Sequence, residues 1–187
     1  MAQQPTRQQF DNLVLPHLDA AYNLARWLTR NEADAADVVQ EAFVRALTYF
    51  DGFRGENARA WLLMIVRNTC YRWIERNRSA VVVPLMGKVE AEVEARPTDG
   101  LGVKVPDPEN LIAQQRDSAL LDTLIGELPP LFREILVLRE LEELSYKEIG
   151  EILGVPIGTV MSRLARARAL LKAAWRRREQ GAASNGL

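Results

Sequence analysis

The stretch LSYKEIGEILGVPIGTVMSRLARARALL, Leu144–Leu171, contains two helical patterns separated by Gly-Val-Pro. Ser145 lies three residues before Glu148, which is the capping-box spacing that begins a helix. Gly154 tolerates the left-handed backbone conformation that ends one helix before the next begins. Gly150 is small at the point where the two helices would cross. The stretch therefore predicts a helix-turn-helix.

The second predicted helix has a polar face with residues at i, i+3, i+4 and i+7: Thr159, Ser162, Arg163 and Arg166. Hydroxyl groups can hydrogen-bond to base edges, and arginine makes bidentate contacts with guanine. Basic residues that could neutralise phosphates follow along the same helix: Arg168, Lys172, Arg176, Arg177 and Arg178. A solvated helix is the alternative, but the cap, the turn glycine and the acid-free basic face together favour DNA binding.

Apolar periodicity extends this helical interpretation to most of the chain. The helix with this polar face is here called the recognition helix, and its opposite face is predicted to be core: Ile157, Val160, Met161, Leu164 and Leu171. Nearer the N-terminus, another predicted helix buries Val39, Phe43, Ala46 and Phe50. The helix that follows it runs from about Ala58 to Asn77, with Trp61 and Trp73 on its buried side. The predicted fold class is all-α.

Composition excludes several classes of protein. The 187 residues have a formal net charge of −1 and include one cysteine and one histidine. Cys70 and His17 therefore predict neither an internal disulfide nor a zinc site, and we expect no metal and no cofactor. No apolar run reaches the ~20 residues of a membrane helix, and the N-terminus lacks a secretion-signal pattern. We expect a cytoplasmic protein without membrane insertion.

The charge is unevenly distributed along the chain. The C-terminal helix is strongly basic, whereas the segment between Ser79 and Thr123 is acidic and contains ARPTDGLGVKVPDPEN. Proline, glycine and acid in such density indicate a linker. We predict two small helical domains, residues 1–78 and 111–187, joined by a flexible acidic linker over 79–110.

Three motifs in this order resemble bacterial sigma factors of the extracytoplasmic-function (ECF) subfamily: DAADVVQEAFVRAL, RAWLLMIVRNTCYRWIERNR and LPPLFREILVLRELEELSYKEIGEILGVPIGTVMSRLARARALL. The resemblance implies a sigma-2 helical bundle followed by a sigma-4 helix-turn-helix domain. It implies a promoter-specificity subunit that binds core RNA polymerase at the β′ clamp helices and the β subunit. Promoter DNA and an anti-sigma factor are the other implied partners.

The resemblance also implies roles for individual residues. The recognition helix is assigned to the −35 promoter element. The core polymerase surface falls on Asp37, Gln40, Glu41 and Val44. Contacts to the melted −10 element fall on Phe53, Arg54, Arg67, Asn68, Tyr71 and Arg72. Amide, aromatic and guanidinium groups suit unpaired bases and their backbone.

Two other interpretations remain open. A two-domain helix-turn-helix regulator acting without polymerase would use the same DNA-binding helices and bind a palindromic duplex as a dimer. A helical nucleotidyl transferase or nuclease would need clustered carboxylates. Asp34, Asp37 and Glu41 form the only regular acidic set, which is a poor metal site. We therefore expect no enzymatic activity.

Overall fold

A computed structural model describes residues 7–77, here called the N-terminal half, and residues 119–184, the C-terminal half. Both described halves are helical and contain no β-strand, so the predicted all-α class is confirmed. The predicted linker over 79–110 lies outside the described residues. The N-terminal half consists of α1 (Arg7–Val14), α2 (Leu18–Thr29), α3 (Glu32–Tyr49) and α4 (Ala58–Asn77), with 3-10 turns at Leu15–His17 and Phe50–Gly52.

Helices α2, α3 and α4 pack against one another to form the body of the N-terminal half. Arg30 adopts the left-handed conformation after α2, and the Asn31 side chain caps α3 by accepting from the Asp34 backbone N–H at 3.1 Å. The predicted core face of α3 is confirmed, since Val39, Ala46 and Phe50 are buried and Phe43 packs against the same core.

The C-terminal half contains α5 (described over 119–127), α6 (Pro130–Leu136), a π-helical segment (Val137–Leu141), α7 (Tyr146–Leu153) and α8 (Ile157–Ser184). Helices α6 and α7 both pack on α8. The predicted capping box is present, because Ser145 Oγ accepts from the Glu148 N–H and the Glu148 carboxylate accepts from the Ser145 N–H. Gly154 ends α7 with a φ of 66°. The predicted helix-turn-helix is therefore confirmed.

Gly150 lies where α7 meets the turn. A Cβ atom there would lie 2.9 Å from the Val155 carbonyl oxygen, a backbone atom that cannot rotate away. We expect Gly150→Ala to lower the free energy of unfolding by about 2 kcal/mol, since the turn must shift to admit the methyl group. Urea unfolding followed by circular dichroism measures this loss.

The matched control is Gly158→Ala. A Cβ at Gly158 would meet nothing within 4 Å. Alanine there is expected to leave stability unchanged or to raise it by up to about 1 kcal/mol, because alanine favours helix more than glycine does. Equal losses in the two variants would contradict the steric explanation for Gly150.

The two halves pack directly on each other. Helix α4 contacts α7, and α2 contacts α6. Buried apolar side chains form one continuous cluster that includes Leu24 and Leu63 of the N-terminal half and Ile135 and Ile149 of the C-terminal half. In the described structure, the helix-turn-helix therefore lies against the helix that carries the predicted −10 residues.

Candidate nucleic-acid interface

The predicted −35 residues lie on the first turns of α8. Ser162 and Arg166 are exposed, while Thr159 and Arg163 are half-buried. The Ser162 hydroxyl donates to the Thr159 carbonyl at 3.1 Å, which fixes that side chain on the helix surface. Helix α8 thus presents hydroxyl and guanidinium groups on one accessible side, the side-chain chemistry that reads base edges in a major groove.

The predicted core face of α8 is partly wrong. Val160 and Leu164 are buried, and Leu171 packs against the core, but Ile157 is 49% exposed and Met161 is 54% exposed. The buried stripe of α8 runs through Val160, Leu164 and Ala167. That stripe is narrower than the usual apolar face of a surface helix. Ile157 and Met161 therefore extend the accessible surface next to Ser162.

The predicted phosphate contacts lie further along α8. Arg168 and Lys172 are exposed. Arg168 forms an ion pair with Glu140 at 2.6 Å, and Arg178 forms one with Glu127 at 2.8 Å. All four side chains in these two pairs are about half exposed, so water screens the pairs and each is worth about 1 kcal/mol or less. A DNA phosphate could displace either carboxylate at small cost.

The predicted −10 residues of α4 divide into two sets. Asn68 and Arg72 are exposed, whereas Arg67 and Tyr71 lie beneath α6 of the C-terminal half. Arg67 donates to Glu134 at 2.9 and 3.1 Å, and the Tyr71 hydroxyl donates to the same carboxylate at 2.9 Å. The Arg67 guanidinium also lies 4.8 Å from the Tyr71 ring centroid.

The loop before α4 holds the other two predicted −10 residues. Phe53 is half-buried: its ring stacks on Phe50 at 6.0 Å and contacts Trp61 at 4.8 Å between centroids. Arg54 is exposed. The ring of Phe53 is thus held in an aromatic cluster, while the guanidinium of Arg54 is free to reach a strand.

The predicted polymerase surface lies on the outer face of α3. Asp37 and Gln40 are exposed, and Val44 is 67% exposed. Glu41 is half-buried and pairs with Arg45 at 2.6 Å and with Arg76 of α4 at 3.1 Å. The hydrogen bond from Arg45, with that from Arg76, holds the pKa of Glu41 below its usual value despite partial burial. Glu41 therefore also ties α3 to α4.

Four residues between the halves were not predicted from the sequence: Asn57, Arg133, Glu134 and Glu142. Asn57 caps α4 by accepting from the Ala60 N–H at 2.9 Å, and its amide donates to Glu148 at 2.7 Å. Asparagine directly before a helix was the one signal available for it. The buried charges of Arg133, Glu134 and Glu142 contradict the general rule that charged side chains are exposed.

Cys70 is fully buried, whereas His17 is half-buried. Burial raises the pKa of the Cys70 thiol to about 12, so it is protonated and unreactive at neutral pH. Burial, followed by the nearby Arg59 charge, lowers the pKa of His17. Within the described residues, no group of three or more histidine, cysteine or carboxylate side chains could hold a metal ion.

The fold and its surfaces define a class: a helical DNA-binding protein with a helix-turn-helix in one half and a second polar surface in the other. Residues 13–80 match the family model of sigma-70 region 2, and residues 118–171 match that of sigma-70 region 4. The chain belongs to the ECF family of bacterial RNA polymerase sigma factors, which are transcription initiation factors.

Curated relatives support this assignment. The chain is 38% identical to the ECF RNA polymerase sigma-E factor of Escherichia coli K12 over 72% of this chain and 70% of the relative. It is 35% identical to the Haemophilus influenzae sigma-E factor over 91% and 89%, respectively. It is 34% identical to the sigma factor SigE of Mycolicibacterium smegmatis over 90% of this chain, but covers only 62% of that relative.

Two solved structures share the fold. One is the sigma factor RpoE of Bartonella quintana in complex with the anti-sigma factor NepR, at a TM-score of 0.65 and 25% identity over 90% of this chain and 98% of that one. The other is CnrH in complex with the cytosolic domain of CnrY, at a TM-score of 0.60 and 28% identity over 90% and 88%.

Family membership disfavours a regulator that acts without polymerase. In the described ranges, 7–77 and 119–184, no helix is long and apolar enough to cross a membrane.

Proposed function

We propose that this chain binds core RNA polymerase and directs it to promoters by contacting the −35 and −10 elements. Residues 1–78 would bind polymerase and the −10 element, residues 111–187 would read the −35 element, and 79–110 would join them. One observation carries the proposal: a single chain of this family presents an accessible arginine and hydroxyl face on α8 and a separate polar surface on α3.

The proposed polymerase contact is the α3 surface of Asp37, Gln40 and Val44, with Glu41 at its edge. Two further apolar side chains, Leu47 and Tyr49, are exposed on the same helix. An acidic and amide surface beside exposed apolar side chains suits a basic coiled coil such as the β′ clamp helices, and the β subunit would receive the C-terminal half. Phosphodiester synthesis is left to the polymerase, so this chain needs no catalytic group. The chain would work in the cytoplasm, where the polymerase transcribes DNA.

A cognate anti-sigma factor completes the proposal, since the similar sigma factor RpoE forms a complex with the anti-sigma factor NepR. The deciding experiment is run-off transcription with core polymerase on genomic fragments, followed by sequencing of the transcript starts. We expect transcript starts downstream of shared −35 and −10 sequences only when core polymerase and this chain are both present. A gel shift on the recovered promoters should require core polymerase. Tight palindromic binding by the protein alone would instead support the regulator.

The α3 surface gives a specific prediction. We expect Gln40→Ala with Glu41→Ala to lower the affinity for core polymerase about tenfold, the effect of ~1.4 kcal/mol, because polar contacts to the clamp helices are lost. Fluorescence anisotropy of the labelled factor against core enzyme measures this. Since Glu41 also pairs with Arg45 and Arg76, Gln40→Ala alone tests the surface without disturbing those ion pairs.

The matched control is Gln8→Ala, which removes an exposed glutamine from α1. It should leave the affinity for core polymerase unchanged. Normal core affinity in the double variant, combined with loss of promoter preference, would contradict the assignment of this surface to polymerase.

A further inference from the structure

A fully buried carboxylate joins the two halves of the protein. The side chain of Glu134 on α6 is 0% exposed, and its three hydrogen bonds come from Arg67 and Tyr71 of α4, between 2.9 and 3.1 Å. Burial alone would lower the pKa of Arg67, but the hydrogen bond and charge of Glu134 outweigh it and leave that pKa raised. Arg67 is therefore firmly held as the charged partner of Glu134.

Two further carboxylates of the C-terminal half accept hydrogen bonds from side chains of the N-terminal half. Glu142, also buried, accepts from Arg59 at 2.6 Å and from Asn23 at 3.4 Å. Glu148 accepts from Asn57 at 2.7 Å. In all these contacts the carboxylate belongs to the C-terminal half and the donor to the N-terminal half. This pattern is charge complementarity between two surfaces.

The donors that Glu134 occupies are the ones the −10 strand would need. Arg67 and Tyr71 are two of the four proposed DNA contacts on α4, and both are covered by α6 in this arrangement. A carboxylate and a phosphate are equivalent acceptors for a guanidinium fork. Glu134 and the DNA backbone therefore compete for the same groups, and only one of them can be bound.

The packed arrangement is also too short to read a promoter. Elements centred at −35 and −10 are about 25 base pairs apart, which is about 85 Å at ~3.4 Å per base pair. Here α4 touches α7, and α7 touches α8, and helices in contact lie about 8–10 Å apart. The halves must separate to reach both elements, and residues 78–118 have sufficient contour length at about 3.3 Å per residue.

From these contacts we infer that the described arrangement is a self-occluded state of the factor, in which Glu134 holds Arg67 and Tyr71 away from the −10 strand. The inference rests on the proposed function for the role of α4, but the closed contact can be measured without DNA. The −35 face of α8 remains accessible in this state. Release of the Glu134 contact is therefore the step that makes the −10 surface available.

The first test measures the separation of the halves. Donor and acceptor dyes on Thr48→Cys and Glu151→Cys, both exposed positions, report the distance by energy transfer in the full chain. The native Cys70 stays unlabelled, because burial raises its pKa to about 12. Glu134→Gln keeps the side-chain size but replaces an acceptor oxygen and the charge with an amide. We expect lower transfer efficiency than in the parent.

The second test measures access to α4. The probe is a fluorescein-labelled single strand carrying the −10 region of a promoter recovered by run-off transcription. We expect the free Glu134→Gln protein to bind this strand at least about fivefold more tightly than the parent, because apparent affinity scales with the open fraction. Glu143→Gln, the same change at an exposed residue of the C-terminal half, should match the parent in both tests.

Glu142→Gln provides a second variant, since it weakens the contacts with Arg59 and Asn23 without touching Arg67 or Tyr71. If Glu134→Gln loses its helical circular dichroism, and therefore does not fold, energy transfer and strand affinity are measured on Glu142→Gln instead. Low energy transfer in the parent would overturn the closed state, and unchanged transfer in both variants would overturn the role of these carboxylates in holding it. Reduced transfer with unchanged strand affinity would overturn the occlusion. Failure of the proposed function is a separate result: no promoter starts are recovered, while energy transfer still reports the contact.

Discussion

Replacing Arg133 with methionine is expected to lower the free energy of unfolding by about 3–5 kcal/mol, the largest loss that any single side chain here should cause. Arg133 is buried, and its guanidinium donates to the carbonyls of Ile125, Gly126 and Leu128 at 3.3, 2.7 and 2.7 Å. A fourth bond reaches the Trp27 carbonyl in the N-terminal half at 3.0 Å. The residue thus closes the end of α5 and links it to α2.

Arg133→Met is expected to destabilise the protein because the hydrogen-bond partners of Arg133 remain in the variant. Removing a buried charge also removes its desolvation cost, and replacing a whole buried ion pair with apolar groups can be neutral. Here the acceptors are backbone carbonyls, which no side-chain substitution removes. The Ile125 carbonyl keeps the Leu128 N–H as a donor at 3.1 Å. Methionine would remove the guanidinium donor from the other three carbonyls, at about 1–3 kcal/mol each before relaxation. The loss of hydrogen bonds therefore outweighs the gain in solvation.

Urea unfolding measures the change, with Arg139→Met as the matched control. Arg139 lies in the same half and donates to one carbonyl, that of Leu144, at 2.8 Å. We expect it to cost about 1 kcal/mol, the usual contribution of one such bond. Similar losses in the two variants would show that the four carbonyls find other donors.

Local patterns in the sequence predicted most of the secondary structure. The capping box at Ser145 and the glycine at 154 act within a few residues, so their spacing alone predicts where α7 begins and ends. The apolar period of α3 likewise depends only on neighbouring turns. The same reasoning placed the polar face of α8 on an accessible side. These features could be predicted because their causes lie within one helix.

Burial that depends on distant segments was not predicted. Periodicity assigned Ile157 and Met161 to the core, but how much of α8 is covered depends on its crossing with α6 and α7. Glu134 lies 67 residues from its partner Arg67 in the sequence, and no local sequence pattern predicts that ion pair. The sequence thus indicated which side chains could bind DNA. It did not indicate that one helix of the same chain covers two of them.

Arg166→Ala is expected to weaken holoenzyme binding to promoters about 10- to 100-fold, the equivalent of ~1–3 kcal/mol for one bidentate base contact. Arg166 is exposed on the α8 face, one turn beyond Ser162, where a guanidinium can span two acceptors of guanine. The loss should depend on sequence: the variant should discriminate poorly at one position of the −35 element and normally at the others. Affinity for core polymerase should not change.

Arg177→Ala is the control that separates reading from charge. Arg177 is also exposed on α8, about three turns further along, where a phosphate contact is expected. Its removal should weaken all promoters by one common factor and reduce the dependence of log affinity on log salt by about one unit. Binding assays across single-base variants of the −35 element at two salt concentrations distinguish the two arginines. If Arg166→Ala also weakens every variant equally, Arg166 contacts the DNA backbone, and sequence is read by other residues of α8.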